Sequence, residues 1–119
     1  MIRMNKEIFI KKCISFIEKE ADITANYKKH NKIVDEHVKF LKDNSECDFF
    51  KEAVEELMNS NNIDVRFYAA TYAVKYNINT KKAMKIIKRI SRSYKYRNTN
   101  ACLLAQMFLD MYSHSEDYK

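Results

Sequence analysis

Basic side chains that could bind an anion dominate one interval of the chain. Between Asp64 and Asp110 there is no acidic residue, and ten basic residues lie there. Seven of them form the candidate binding site: Lys81, Lys85, Lys88, Arg89, Arg92, Lys95 and Arg97. Coulomb attraction and counterion release would draw a phosphate backbone to such a surface. An acidic protein partner and an ordinary solvated helix face remain the two alternatives, since Lys81, Lys85, Lys88 and Arg92 follow helical spacing along one exposed side.

Histidines and carboxylates suggest a second kind of chemistry. His30 and His37 lie seven residues apart, with Asp35 and Glu36 between them, so two imidazoles and a carboxylate could meet on one helix face and bind a metal ion. The same histidines could equally border the apolar stripe of a helix. We prefer the second interpretation and predict no metal site.

Catalytic patterns are missing from the sequence. It contains no glycine, which excludes glycine-rich phosphate loops and dinucleotide-binding fingerprints. We also find no nucleophile beside a base and no carboxylate pair in an apolar setting. The chain is therefore predicted to be neither an enzyme nor a cofactor-binding protein.

Cysteine spacing and hydropathy indicate the compartment. Cys13, Cys47 and Cys102 are odd in number, widely separated and without metal-type spacing, so we expect buried free thiols. No apolar run approaches the roughly 18 residues that span a bilayer, and no signal-peptide pattern begins the chain. We expect a cytoplasmic protein with no membrane contact.

The absence of both glycine and proline from 119 residues favours an all-α fold, because sheets and tight hairpins usually need the backbone conformations that these residues supply. Clusters of Asn, Ser, Asp and Thr would form the turns. The length suits one domain. Apolar periodicity predicts about six helices, namely Asn5–Glu20, a second helix capped by Asp22 or Thr24 and ending at Lys42, Glu46–Met58, the stretch 61–76, a fifth helix capped by Thr80, and about 99–112. The break near residue 22 could instead be a kink.

The stretch from Asn61 to Tyr76 is predicted to be the central helix. It is apolar on nearly every side, so neighbouring helices must cover it. Asp64 is the predicted N-cap, and Arg66 is predicted to hold a turn carboxylate or carbonyl in place.

A repeat of about 34 residues relates the last four helices as two helical hairpins. Each hairpin would bury its apolar face only by stacking on the next, as in an α-solenoid. The predicted organisation is an N-terminal pair at 1–44, a first repeat at 45–77, a second at 78–112 and a frayed tail at 113–119.

The D-V-R-x-x-A-A-x-x-A pattern formed by Asp64, Val65, Arg66, Ala69, Ala70 and Ala73 resembles the second helix of a HEAT repeat. Together with Asn31, Asp35 and the segment Lys82–Ser91, the chain is similar to a small bacterial family of uncharacterised HEAT-like proteins. The resemblance implies helical hairpins stacked into a right-handed superhelix. It transfers no site residue, because the matching positions are packing and turn residues.

Function is predicted from charge and from this resemblance. We expect a non-catalytic protein-binding module, for example an immunity protein that neutralises a bacterial toxin. The alternative is a nucleic-acid-binding protein that uses the basic second repeat. The third helix is acidic, with Glu52, Glu55 and Glu56, and could pair with basic residues of another copy, so we expect a monomer or a weak homodimer.

Overall fold

The computed structural model describes residues 3–21 and 27–117, and within these ranges the chain is all α-helical, with no strand. The described residues form six helices: α1 Lys6–Ala21, α2 Tyr27–Asn44, α3 Phe50–Met58, α4 Ile63–Lys75, α5 Thr80–Arg92 and α6 Asn100–Asp117. The predicted all-α fold class is confirmed. The predicted caps of the second helix, Asp22 and Thr24, lie outside the described residues.

Asparagine side chains begin two of the helices. Asn5 Oδ1 accepts a hydrogen bond from the backbone N–H of Ile8 at 2.9 Å, at the start of α1. Asn62 Oδ1 accepts from the N–H groups of Asp64 and Val65 at 2.9 and 3.2 Å, so Asn62 is the N-cap of α4. The prediction that Asp64 forms this cap is wrong, because Asp64 already lies within the first helical turn.

Asparagine also replaces glycine in the turn between α4 and α5. Asn77 and Asn79 have positive φ angles of 58° and 42°, a region that asparagine tolerates better than most residues. Asn79 is the N-cap of α5 without a side-chain capping bond. The predicted cap, Thr80, is instead the first helical residue.

The ends of two helices, α3 and α6, differ by several residues from the predictions. Residues 45–49 form turns, so α3 begins at Phe50 rather than Glu46. Helix α6 continues to Asp117 through most of the predicted frayed tail, whose residues include neither of the strong helix breakers, glycine and proline.

The kink alternative for α1 and α2 is wrong, since they are separate helices packed on each other through the stacked rings of Phe9 and Phe40.

Helix α4 occupies the centre of the fold. It packs against α1, α3, α5 and α6, and Lys75 is its only exposed residue. Ala69, Ala70 and Ala73 are completely buried, which allows the neighbouring backbones to approach closely. The predicted central role of this helix is confirmed.

Consecutive helices pack side by side: α1 on α2, α3 on α4, α4 on α5 and α5 on α6. Cys13 and Cys102 are buried free thiols, as predicted, whereas Cys47 is exposed because it lies in the turn before α3. No described helix is long and apolar enough to cross a membrane.

Candidate functional site

The seven predicted binding residues are all exposed, five on α5 and two in the loop that follows it. One nearby lysine has a different role, because Lys82 Nζ donates to Asn59 Oδ1 at 2.7 Å and ties α5 to the turn before α4. Among the residues whose side chains the structure describes, no carboxylate forms an ion pair with any of the seven. No described carboxylate therefore neutralises their positive charge by direct contact.

Helix α5 divides these residues between two sides. Lys81, Lys85 and Lys88 line a hollow of about 320 Å³ between α5 and α6, closed at the α6 side by Tyr112. Arg89 lines a separate groove on the opposite side of α5, together with Arg66 of α4. Arg92 is exposed in the last turn of the helix.

The last two predicted residues lie over aromatic rings in the loop after α5. The Arg97 guanidinium lies 4.4 Å from the ring centroid of Tyr94, and Lys95 Nζ lies 5.3 Å from that of Tyr96. Tyr94 is 79% exposed, so one face of its ring is available to a partner. Cation–π contacts hold these side chains near one another.

The two predicted turn residues have different surroundings. Arg66 Nη1 donates to the backbone carbonyl of Ser60 at 3.3 Å, so its guanidinium is fixed to the turn before α4. Asp64 is half-buried, and its backbone N–H is bound by Asn62.

The acidic third helix is partly neutralised within the chain. Lys6 Nζ lies 3.1 Å from Glu52 Oε1 and 3.3 Å from Glu56 Oε2. These exposed pairs raise the pKa of Lys6 and add little to stability. They leave less acidic charge for pairing with the basic residues of another copy.

Helix α6 exposes a row of apolar side chains that the sequence does not single out. Leu103, Met107 and Met111 are 54, 52 and 72% exposed and recur every four residues on one face. Met111 belongs to the apolar residues expected on this helix, and its side chain is the most exposed of the three. Met111 and Tyr112 also line a hollow between α6 and α4, which joins this row to the lysine-lined hollow through Tyr112.

A polar network lies inside the core, formed by three side chains from three helices. His37 Nδ1 of α2 lies 2.7 Å from Glu20 Oε2 of α1, and His37 Nε2 is hydrogen-bonded to the Tyr72 hydroxyl of α4. The Phe16 ring stacks on the imidazole with a centroid distance of 5.1 Å. All three polar residues are buried.

This arrangement corrects the prediction that His37 borders an apolar stripe. His37 is inside the core, while His30 is half-buried, and no group of metal-binding side chains occurs among the residues that the structure describes. Sequence reasoning missed the network, because Glu20 and Tyr72 carry no local signal of their pairing. The clue available in the sequence was His37 itself, a polar residue at a core-facing position of α2.

We expect alkaline pH to destabilise the fold through buried acids near this network. Burial raises the pKa of Cys13 from 9.0 to about 12, and burial with the charges of Glu20 and Asp64 raises that of Tyr68 from 10.0 to about 12. Burial also raises the pKa of Tyr72. The folded state holds these protons more tightly than the unfolded state, so this stabilisation is complete below about pH 9 and is lost as the pH rises toward about 12.

The denaturant midpoint should therefore fall as the pH rises above about 9. The fall should be shallower in Tyr68→Phe than in the wild type, and unchanged in Tyr94→Phe, which alters an exposed ring. A profile that is flat through this range, or equal slopes in the two variants, would contradict the assignment of buried protonated groups.

Comparisons with known proteins do not identify the chain. No family model matches it, and neither the curated proteins nor the solved structures include a significant match.

Proposed function

We propose that this chain is a non-catalytic protein-binding module whose partner presents an acidic segment with apolar side chains. Two observations support this: the lysine-lined hollow beside Tyr112, and the exposed apolar row of α6, which meets that hollow only through Met111 and Tyr112. We call the residues of both features together the α5–α6 surface: Lys81, Lys85, Lys88, Leu103, Met107, Met111 and Tyr112. Exposed apolar rows beside uncompensated charge are typical of protein-interaction sites.

The chemistry of the α5–α6 surface defines the partner. Methionine is flexible and polarisable, so Met107 and Met111 can adapt to apolar side chains of varied shape. The three lysines would meet carboxylates spaced along the partner, which sets the register and accelerates association. An amphipathic helix with acidic residues beside its apolar face satisfies both requirements.

The HEAT-like solenoid and the biological setting belong to the same proposal. The side-by-side packing of α3, α4, α5 and α6 supports hairpins stacked into a superhelix. In this proposal the protein acts in the cytoplasm as an immunity-type inhibitor of a bacterial toxin. The toxin would carry an acidic contact surface. A nuclease toxin fits this requirement poorly, because the surface that meets its nucleic-acid substrate is usually basic.

Capture from a nuclease-treated lysate of the source organism tests the binding function. The immobilised wild-type chain should retain one defined protein, and Met107→Glu should lose it, because a carboxylate on the apolar row repels the acidic partner. Lys51→Glu, an exposed change on α3, should retain it. Equal retention by both variants would contradict the proposed surface.

Nucleic acid binding is the second candidate, favoured by the exposed Tyr94 ring held beside Arg97. This candidate predicts binding of single-stranded or duplex nucleic acid at about 50 mM salt, with an affinity that falls as salt is raised. Substituting Lys85, Arg89 and Arg92 by alanine should lower both the affinity and the salt slope. Absence of binding at low salt would remove this candidate.

A further inference from the structure

A groove on the far side of α5 from the lysine-lined hollow has the chemistry of a small-anion site. It lies between the start of α4, the second half of α5 and the following loop, and has a volume of about 370 Å³. Its lining consists of Arg66, Ile86, Arg89, Ile90, Ser93 and Tyr96. Small-ligand sites in proteins begin at about 300 Å³, so the groove can hold a small molecule.

Two guanidinium groups from different helices face this groove without a carboxylate between them. Arg66 is half-buried and fixed by its hydrogen bond to the Ser60 carbonyl, so little side-chain entropy is lost when it binds an anion. Arg89 lines the same groove and is exposed. No described acidic residue pairs with either arginine. Arginine presents several donors in a planar fork that suits oxyanions.

Two hydroxyl groups complete the polar side of the groove. Ser93 Oγ accepts a hydrogen bond from the Tyr96 backbone N–H at 3.3 Å, which leaves its own proton available for a ligand. The Arg66 guanidinium beside the Tyr96 hydroxyl lowers the pKa of that phenol. The loop therefore places two hydroxyl donors in the groove that Arg66 and Arg89 line.

The apolar part of the groove selects a ligand with an organic body. Ile86 and Ile90 supply apolar surface between the charged groups. Two guanidinium groups and two hydroxyls offer more donors than the two oxygens of a carboxylate use, whereas a phosphate monoester has three terminal oxygens and close to two negative charges.

We propose that this groove binds a phosphate monoester whose ester group is apolar or aromatic. Its terminal oxygens lie between Arg66 and Arg89, Ser93 and Tyr96 donate to them, and the ester group rests on Ile86 and Ile90. This site is separate from the α5–α6 surface, so it holds or fails independently of the protein-binding function.

Titration of the whole chain with phenyl phosphate, followed by NMR, tests the site. We expect saturable shifts of the Arg66 and Arg89 side-chain signals and of the Ser93 and Tyr96 amides, with weaker binding of benzoate. The Tyr96 pKa should rise on binding, because a nearby dianion disfavours phenolate. Adenosine monophosphate and a short phosphotyrosine peptide then separate a free metabolite from a protein-borne phosphate, and tighter binding of either one supports the site.

Matched variants identify the groups that bind. Arg89→Ala should weaken phenyl phosphate about tenfold or more, since a charge-assisted hydrogen bond is lost. Tyr96→Phe should weaken it by a smaller factor, and Arg3→Ala, which removes an exposed arginine elsewhere, should have no effect. Lack of saturation, benzoate binding as tight as phenyl phosphate, or equal effects of Arg89→Ala and Arg3→Ala would overturn the proposal.

Discussion

His37→Ala should destabilise the protein by about 3–5 kcal/mol, because it leaves the Glu20 carboxylate buried without its partner. The substitution also removes the hydrogen bond to Tyr72 and the stacking on Phe16. Small domains have a total stability of about 5–15 kcal/mol, so a loss of this size brings the chain close to unfolding. Chemical denaturation followed by circular dichroism measures it.

Two comparison variants separate the network from general effects of losing a histidine. His30→Ala changes a half-buried histidine of the same helix and should cost less than about 1 kcal/mol. Glu20→Gln combined with His37→Ala should recover part of the lost stability, because the unpaired buried charge is gone. Similar losses in His37→Ala and His30→Ala, or no recovery in the double variant, would show that the network does not stabilise the core.

Charge reversal on the α5–α6 surface should nearly abolish partner binding. In Lys81→Glu/Lys85→Glu/Lys88→Glu, three carboxylates replace exposed lysines and face the acidic partner. Repulsion between like charges at an interface costs several kcal/mol, so the dissociation constant should rise about a hundredfold or more. Titration of the captured partner by calorimetry gives this ratio.

The control must change net charge by the same amount. Lys11→Glu/Lys32→Glu/Lys39→Glu reverses three exposed lysines on α1 and α2. Each Lys→Glu change removes two units of charge, so both triple variants lower the net charge from +6 to zero. The control should lose only a small factor in association rate, because it alters long-range attraction alone. If both triple variants lose the same affinity, the interaction depends on net charge and not on this surface.

The helical architecture is predictable because its causes are local. The absence of glycine and proline, together with apolar periods of three and four residues, is sufficient for the helices, and the nearly continuous apolar character of α4 requires neighbours on every side. The boundaries are less predictable. Asn62, Asp64, Asn79 and Thr80 are all competent caps, and only the backbone geometry selects among them.

The candidate sites depend on contacts that no local pattern encodes. Glu20, His37 and Tyr72 lie far apart in the sequence, and their pairing exists only because α1, α2 and α4 meet. The groove proposed for a phosphate monoester likewise brings together Arg66, near the start of α4, and Arg89, near the end of α5. The basic interval of the sequence predicted an exposed cationic region, but periodicity alone could not show that it divides between two sides of α5.

Photo-crosslinking in cells of the source organism tests whether the α5–α6 surface binds a protein partner. The variant Met107→p-benzoylphenylalanine places a reactive group on the apolar row of α6, and Lys51→p-benzoylphenylalanine places it on α3. We expect one covalent protein adduct from position 107 and none from position 51. The same adducts from both positions, or an adduct to nucleic acid alone, would contradict it.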